Sequence, residues 1–278
     1  MKNLVSAMLL TAVASATMAA DPTACNLVID YPPGGTSDTY VRLLQKQNPG
    51  IMIDYKSGGG GALAIHHISQ NKDVAWFGSP VFVAQNSPVK DPPVELMRIL
   101  VGSPILALSN PNKAMTWDKL MTGKMNIGFP AIGTSHHLVA LQLQEKNPNI
   151  QLVSAGGDNK ALPMVMNGDL DLYLISNTVG KNWIQDFKFD NLFTLAYNKP
   201  ITHNGIELNY LGFNGIFVHK ETSPEQKARI MKCVAEATAS PAWADTLKTL
   251  GAEPIDLVGQ EKDRAFQKFV NLMRKYGQ

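Results

Sequence analysis

Residues 26–38 read NLVIDYPPGGTSD. The opening NLVID is a short apolar run of strand type, and Pro32 and Pro33 forbid a helix directly after it. Gly34 and Gly35 then bare the backbone, and Thr36, Ser37 and Asp38 are residues that favour helix N-termini. The stretch predicts a strand, a turn and a helix whose first amide groups face outward. The turn has no lysine to grip a phosphate and no cysteine or histidine to bind a metal.

The same order recurs twice. Ser57, Gly58, Gly59, Gly60 and Gly61 follow a strand-like run at 51–56 and lead into the helix-like ALAIHH. Residues 126–138, NIGFPAIGTSHHL, end a strand in a proline–glycine turn that Thr134 or Ser135 can cap. In a parallel sheet such turns lie at the carboxyl ends of the strands, where ligands bind. Unpaired N–H groups and a partial positive charge at a helix N-terminus favour an anion there. Gly34, Gly35, Thr36 and Asp38 are the expected first contact loop, with Asp38 bracing it rather than touching an anion. Ser57 and Gly58, Gly59, Gly60 and Gly61 are the expected second loop. Thr134, Ser135 and His136 are the expected facing contact, with Ser176 and Asn177 as further candidates at a strand end.

Outward from these turns the chain alternates strand and helix. Strand-like runs fall at 26–31, 51–56, 74–77, 99–109, 125–129, 150–154, 170–175, 192–197, 208–219 and 253–257. Between them, 134–146 and 261–276 carry apolar residues at helical spacing. Short strands separated by single helices predict an α/β fold of mostly parallel sheets flanked by helices. The two long extended runs, 99–109 and 208–219, read as a pair of hinge strands. They divide the chain into a signal segment at 1–20, a first lobe from 21–103 and 215–278, and a second lobe from 104–214.

The bulk properties agree with a soluble, exported protein. The 278 residues are 45% hydrophobic and 17% charged, with a formal net charge of +2 and no Lys/Arg run, which argues against nucleic acid as a partner. MKNLVSAMLLTAVASATMAA, residues 1–20, has one early lysine, an apolar middle and a small-residue end. That is the pattern of a secretory signal peptide cleaved after Ala19 or Ala20. Two cysteines follow, Cys25 and Cys233. An oxidising compartment permits a bridge between them, and Cys233 also fits the apolar stripe of its own helix; both readings stand.

Motifs for chemistry are missing. Gly60-Gly61-Ala62-Leu63 lacks the Lys-Ser/Thr of a P-loop, and Leu63 stands where a dinucleotide fingerprint needs its third glycine. The pairs His66-His67 and His136-His137 are adjacent on helices, pointing about 100° apart, so neither chelates one ion. G-x-S-x-G is absent around Ser135. No cofactor, metal or catalysis is expected.

At the three turns the sequence resembles the solute-binding receptors of tripartite tricarboxylate transporters, the Bug-type periplasmic proteins. Their F-P-P-G-G-x-x-D motif is matched by residues 31–38 with Tyr31 for Phe, and Arg42 stands where that family has an arginine. N-x-P-G-A-G-G is approximated by 55–61, and G-x-G-[ST]-x-x-H-L by 131–138. Residues 166–171, 222–224 and 250–253 resemble later elements, whereas the family's P-D-G-Y-T turn has no counterpart near 71–74. The resemblance implies a divergent member with the two-lobed type II periplasmic-binding-protein fold. Its lobes would close on a small organic anion, a mono- or dicarboxylate held mainly by backbone N–H groups. It also implies a periplasmic monomer that delivers its load to membrane permease subunits. A binding protein of an ABC or TRAP transporter or of a sensory system, and a secreted enzyme on an anionic substrate, are the alternatives.

Overall fold

The apolar run that opens the described chain folds as β1 (Cys25–Ile29), and the double-proline turn feeds it into α1 (Thr36–Gln47). The structure, a computed structural model, describes residues 24–83 and 89–276; the signal-peptide reading of 1–20 lies outside them. β2 (Ile51–Tyr55), α2 (Ala62–Gln70), β3 (Ala75–Gly78) and β4 (Val94–Gly102) follow. The chain then crosses into a second unit: β5 (Ile105–Ser109), α3 (Trp117–Thr122), β6 (Met125–Phe129), α4 (Ser135–Lys146) and β7 (Ile150–Ser154). That unit continues with α5 (Asp158–Asn167), β8 (Leu172–Ser176), α6 (Asn177–Phe187) and β9 (Asp190–Leu195). A hairpin of β10 (Ile201–His203) and β11 (Ile206–Leu208) turns at Asn204-Gly205, both at positive φ as a two-residue hairpin turn requires. The chain returns as β12 (Phe213–His219), α7 (Pro224–Thr238), α8 (Pro241–Thr249), β13 (Glu253–Leu257) and α9 (Gly259–Tyr276).

Each lobe is one sheet between two helical layers. The first sheet runs β13-β4-β12-β3-β1-β2 and the second β7-β6-β8-β5-β9. Most strands of each point one way, and in each the strand arriving from the other lobe is slotted in antiparallel. β12 lies between β3 and β4, and β5 between β8 and β9. Side-chain alternation splits each core in two. On β1, Leu27 and Ile29 pack with Tyr40, Leu44 and Val234 on one face, while Val28 packs with Ile65, Trp76 and Phe269 on the other. In the second sheet Ile105, Ile127 and Leu174 meet α4, and Leu106, Tyr173 and Ile175 meet α5 and α6.

The crossings are sharper than the apolar runs predict. Residues 99–109 form not one strand but two, because Ser103-Pro104 interrupts the ladder and lets β4 and β5 belong to different sheets. Residues 208–219 likewise break at 209–212, between β11 and β12. The two crossings are tied together: Tyr210 Oη donates to the Ser103 carbonyl, and Tyr40 Oη lies 2.9 Å from Ser103 Oγ and 2.7 Å from Thr178 Oγ1. Cys25 at the start of β1 is bonded to Cys233 of α7, Cα atoms 6.3 Å apart, so of the two open readings the bridge is the one adopted.

Candidate functional site

A cavity of about 160 Å³ lies between the lobes, where the carboxyl ends of both sheets face each other. Its first-lobe wall is the double-proline turn and the start of α1: Tyr31, Pro32, Gly35, Thr36 and Ser37. Across from it stand Pro130 and the start of α4, namely Thr134, Ser135 and His136. Ser176, which precedes α6, adds a hydroxyl, and the buried ring of Phe213 adds an apolar surface.

Backbone chemistry sets the polarity of these walls. Gly35 is the N-cap of α1 and offers no side-chain acceptor, so the first N–H groups of that helix are left without intrahelical partners. At α4 the Thr134 hydroxyl accepts from the His137 amide at 3.2 Å, and the amides of Ser135 and His136 remain. Hydroxyls stand ready beside them: Thr36 Oγ1 and Ser176 Oγ are buried without a hydrogen-bond partner among the described residues, and Ser176 is 2% exposed. Buried polar groups of this kind are paired in most proteins, so their gathering at one cavity marks a place for a polar guest.

Asp38 braces the first turn. Its Oδ2 accepts from the Gly34 amide at 2.9 Å, and its carboxyl also takes bonds from Arg42 Nε (2.9 Å) and Tyr55 Oη (2.5 Å). Burial works against its charge, but the Tyr55, Gly34 and Arg42 bonds outweigh it and hold the carboxyl below the usual range. The facing turn is braced by His137, whose Nδ1 accepts from the Gly133 amide at 3.1 Å while its ring stacks on Phe129. Burial lowers His137 to about 4 and His136 to about 3, so both rings are neutral at pH 7.

The predicted residues divide into two groups. Gly35, Thr36, Thr134, Ser135, His136 and Ser176 come together on the cavity wall. Gly34, Asp38 and Asn177 stand just behind it, Asn177 Nδ2 donating instead to the Gly251 carbonyl at 3.0 Å. Ser57 and Gly58, Gly59, Gly60 and Gly61 lie outside it altogether. All four glycines have positive φ, and the turn is spent on packing: a Cβ on Gly61 would sit 3.0 Å from Val81 Cγ2 and 3.3 Å from Asp30 Oδ2. One on Gly60 would lie 3.8 Å from Ala131 Cβ of the second lobe. The end of α2 therefore already abuts an internal carboxyl, Asp30.

Asp30 is 2% exposed, and burial raises it to about 7, its own amide and the Trp76 indole tempering the rise. A carboxyl raised on folding is protonated in the folded chain and ionised in the unfolded one between about pH 4 and 7. The unfolded chain then binds fewer protons, so this group's contribution to stability falls as pH rises through that window. Asp30→Asn should gain on the parent across it by about 4 kcal/mol, at about 1.4 kcal/mol per pH unit. Urea midpoints of the two proteins at several pH values check this; parallel curves would refute it.

Sequence reasoning missed a fourth junction. Gly156, Gly157, Asp158, Asn159 and Lys160, between β7 and α5, also line the cavity. The signal was present: a glycine pair between strand and helix, as at Gly34-Gly35. Asp158 Oδ1 accepts from Tyr173 Oη at 2.9 Å, and burial raises this carboxyl to about 6, that bond opposing the rise. Among the described residues no group of three or more His, Cys, Asp or Glu is placed to hold a metal ion, and no helix is long and apolar enough to cross a membrane.

Solved structures share this architecture. R. palustris Rpa4515 with adipate aligns with a TM-score of 0.78 at 18% identity, covering 91% of this chain and 95% of its own. The periplasmic binding protein BugD aligns at 0.72 with 17% identity, covering 91% and 97%. MatC from Rhodopseudomonas palustris, with bound malate, aligns at 0.68 with 17% identity, covering 91% and 96%. No protein-family model and no curated protein matches the chain. The chain has the two-lobed fold of the periplasmic binding proteins.

Proposed function

We propose that this chain is a divergent Bug-type solute receptor that captures a small organic carboxylate between its lobes. The carrying observation is the cavity itself, which sets the uncovered N-termini of α1 and α4 on opposite walls with the buried, unpartnered hydroxyls of Thr36 and Ser176 beside them. Helix ends of that kind bind an anion without a cationic clamp. The motif at 31–38 builds one of those walls, and the neighbours with adipate and malate favour the same ligand class.

In this reading Gly35, Thr36, Ser135, His136 and Ser176 touch the ligand, while Gly34, Asp38 and His137 hold the turns in place. The lobes take residues 21–103 with 215–278, and 104–214. Export to the periplasm, a monomeric state and delivery to membrane permease subunits complete the role, which is capture rather than catalysis. Thermal-shift screening against mono-, di- and tricarboxylates tests it. A ligand at a hundred times its Kd should add about 2.7 kcal/mol of stability. No shift with any member of the panel would sink the proposal.

A further inference from the structure

Two lobes that capture a ligand between them must meet at a set angle, and the start of α6 bears on that angle. The inference that follows rests on capture between the lobes, not on the class of ligand. α6 belongs to the second lobe, where Trp183 is buried against Tyr173 and Phe189. Gly180 sits so close to the sheet that a Cβ would lie 2.7 Å from Ile175 Cγ2 and 3.0 Å from Leu106 Cδ1. A helix seated this tightly moves with its sheet. Its first two turns nevertheless bond to the first lobe. Thr178 Oγ1 lies 2.7 Å from Tyr40 Oη on α1. Asn177 Nδ2 donates to the Gly251 carbonyl at 3.0 Å, and Lys181 Nζ donates to the Thr249 carbonyl at 2.7 Å.

The acceptors explain why the contact falls there. α8 ends at Thr249, and its last carbonyls need partners from beyond the helix. The amides of Leu250, Ala252 and Gly251 take the carbonyls of Thr246, Leu247 and Lys248. The Thr249 carbonyl goes to the Lys181 ammonium, a cation placed at the negative end of a helix. Gly251, at φ +76, lets Asn177 approach, since a Cβ there would be 2.3 Å from Asn177 Nδ2. Tyr40 is fully buried, and its hydroxyl also meets Ser103 Oγ of the first crossing at 2.9 Å. α1 and α6 thus share a plan. Each begins at the cavity, at Thr36 or just after Ser176, and each bonds the opposite lobe within its first two turns. We infer that Tyr40, Asn177, Thr178 and Lys181 form a clamp that holds the lobes at the capture angle. They are positioning residues: they set Ser176 and the start of α1 at a fixed separation and stand off the cavity wall themselves.

Small-angle X-ray scattering reads the angle, on the free protein and with adipate or malate added. Lys181→Ala and Tyr40→Phe should each shift the radius of gyration above the parent's. Lys181→Arg keeps a donor for the Thr249 carbonyl and should restore the parent's value. Lys119→Ala is the control, because Lys119 Nζ bonds the Lys113 and Ala114 carbonyls, at 3.3 and 2.9 Å, within the second lobe. Its loss should leave the radius unchanged. Lys181 is partly exposed, so Lys181→Ala opens no core and should keep the parent's urea midpoint. Whichever of the two acids binds the parent should bind Lys181→Ala about threefold more weakly, and Tyr40→Phe about tenfold, through faster dissociation. Radii unchanged in both variants, with and without the acids, would overturn the clamp. A lowered midpoint at an unchanged radius would do the same, as the mark of bonds that only support folding. Silence across the whole carboxylate panel with the radii shifted as expected would instead remove the carboxylate reading and leave the clamp standing.

Discussion

Gly133→Ala should abolish tight ligand binding while leaving each lobe folded. Gly133 opens the turn before α4 in the second lobe, at φ +86. A Cβ there would lie 2.1 Å from the Val81 carbonyl oxygen and 2.8 Å from its carbonyl carbon, both backbone atoms of the first lobe. Two effects add. The left-handed conformation costs an alanine on the order of 1 kcal/mol, and the clash is with backbone of the opposite lobe, so relieving it pushes the two turns apart. Separating the walls takes the ends of α1 and α4 out of reach of one small ligand, so affinity should fall by well over tenfold, about 1.4 kcal/mol per decade. Gly205→Ala is the control: it has φ +78 but nothing within 4 Å of the added carbon, so it carries the strain without the wedge. Wild-type affinity in Gly133→Ala would mean that ligand is not held in this packed arrangement.

The second large effect is expected from the Cys25–Cys233 bridge. It spans 208 residues, and cross-linking so long a loop removes much of the unfolded chain's freedom, by about 5 kcal/mol on a chain-entropy estimate and about 2–5 in practice. Both cysteines are buried in the first core beside Leu27, Val234 and Ala237, so paired alanines keep the packing nearly apolar. Cys25→Ala with Cys233→Ala should therefore lower the urea midpoint substantially, and reductant should do the same to the parent. A midpoint unmoved by either treatment would show that the bridge contributes nothing to stability.

Much of the fold was legible because it rests on local chemistry. Alternating apolar runs and capped helices mark nearly every strand and helix, and the prolines and glycines of 31–38 mark the turn that carries the site. Two things were not. The breaks at Ser103-Pro104 and at 209–212 sit inside long extended runs, because the strands on either side join different sheets and the run alone does not show which sheet each strand joins. The site was half legible. Uncovered amides at α1 and α4 follow from the turn residues alone. The SGGGG turn, Ser57 and Gly58 to Gly61, reads the same way in sequence, yet the space beside it holds Asp30 and Val81, brought there by long-range packing. Conversely, Asp158 looks like an ordinary first-turn acid until the fold sets it across a cavity from two other helix ends.

A crystal structure of the protein with a carboxylate drawn from the thermal-shift screen tests the central claim most directly. The expected result is a carboxylate between the lobes, its oxygens within about 3.2 Å of amides at the starts of α1 and α4, Thr36 or Ser37 on one side and Ser135 or His136 on the other. A carboxylate seated on Gly58 to Gly61, or anywhere outside the cavity walled by α1 and α4, would contradict it.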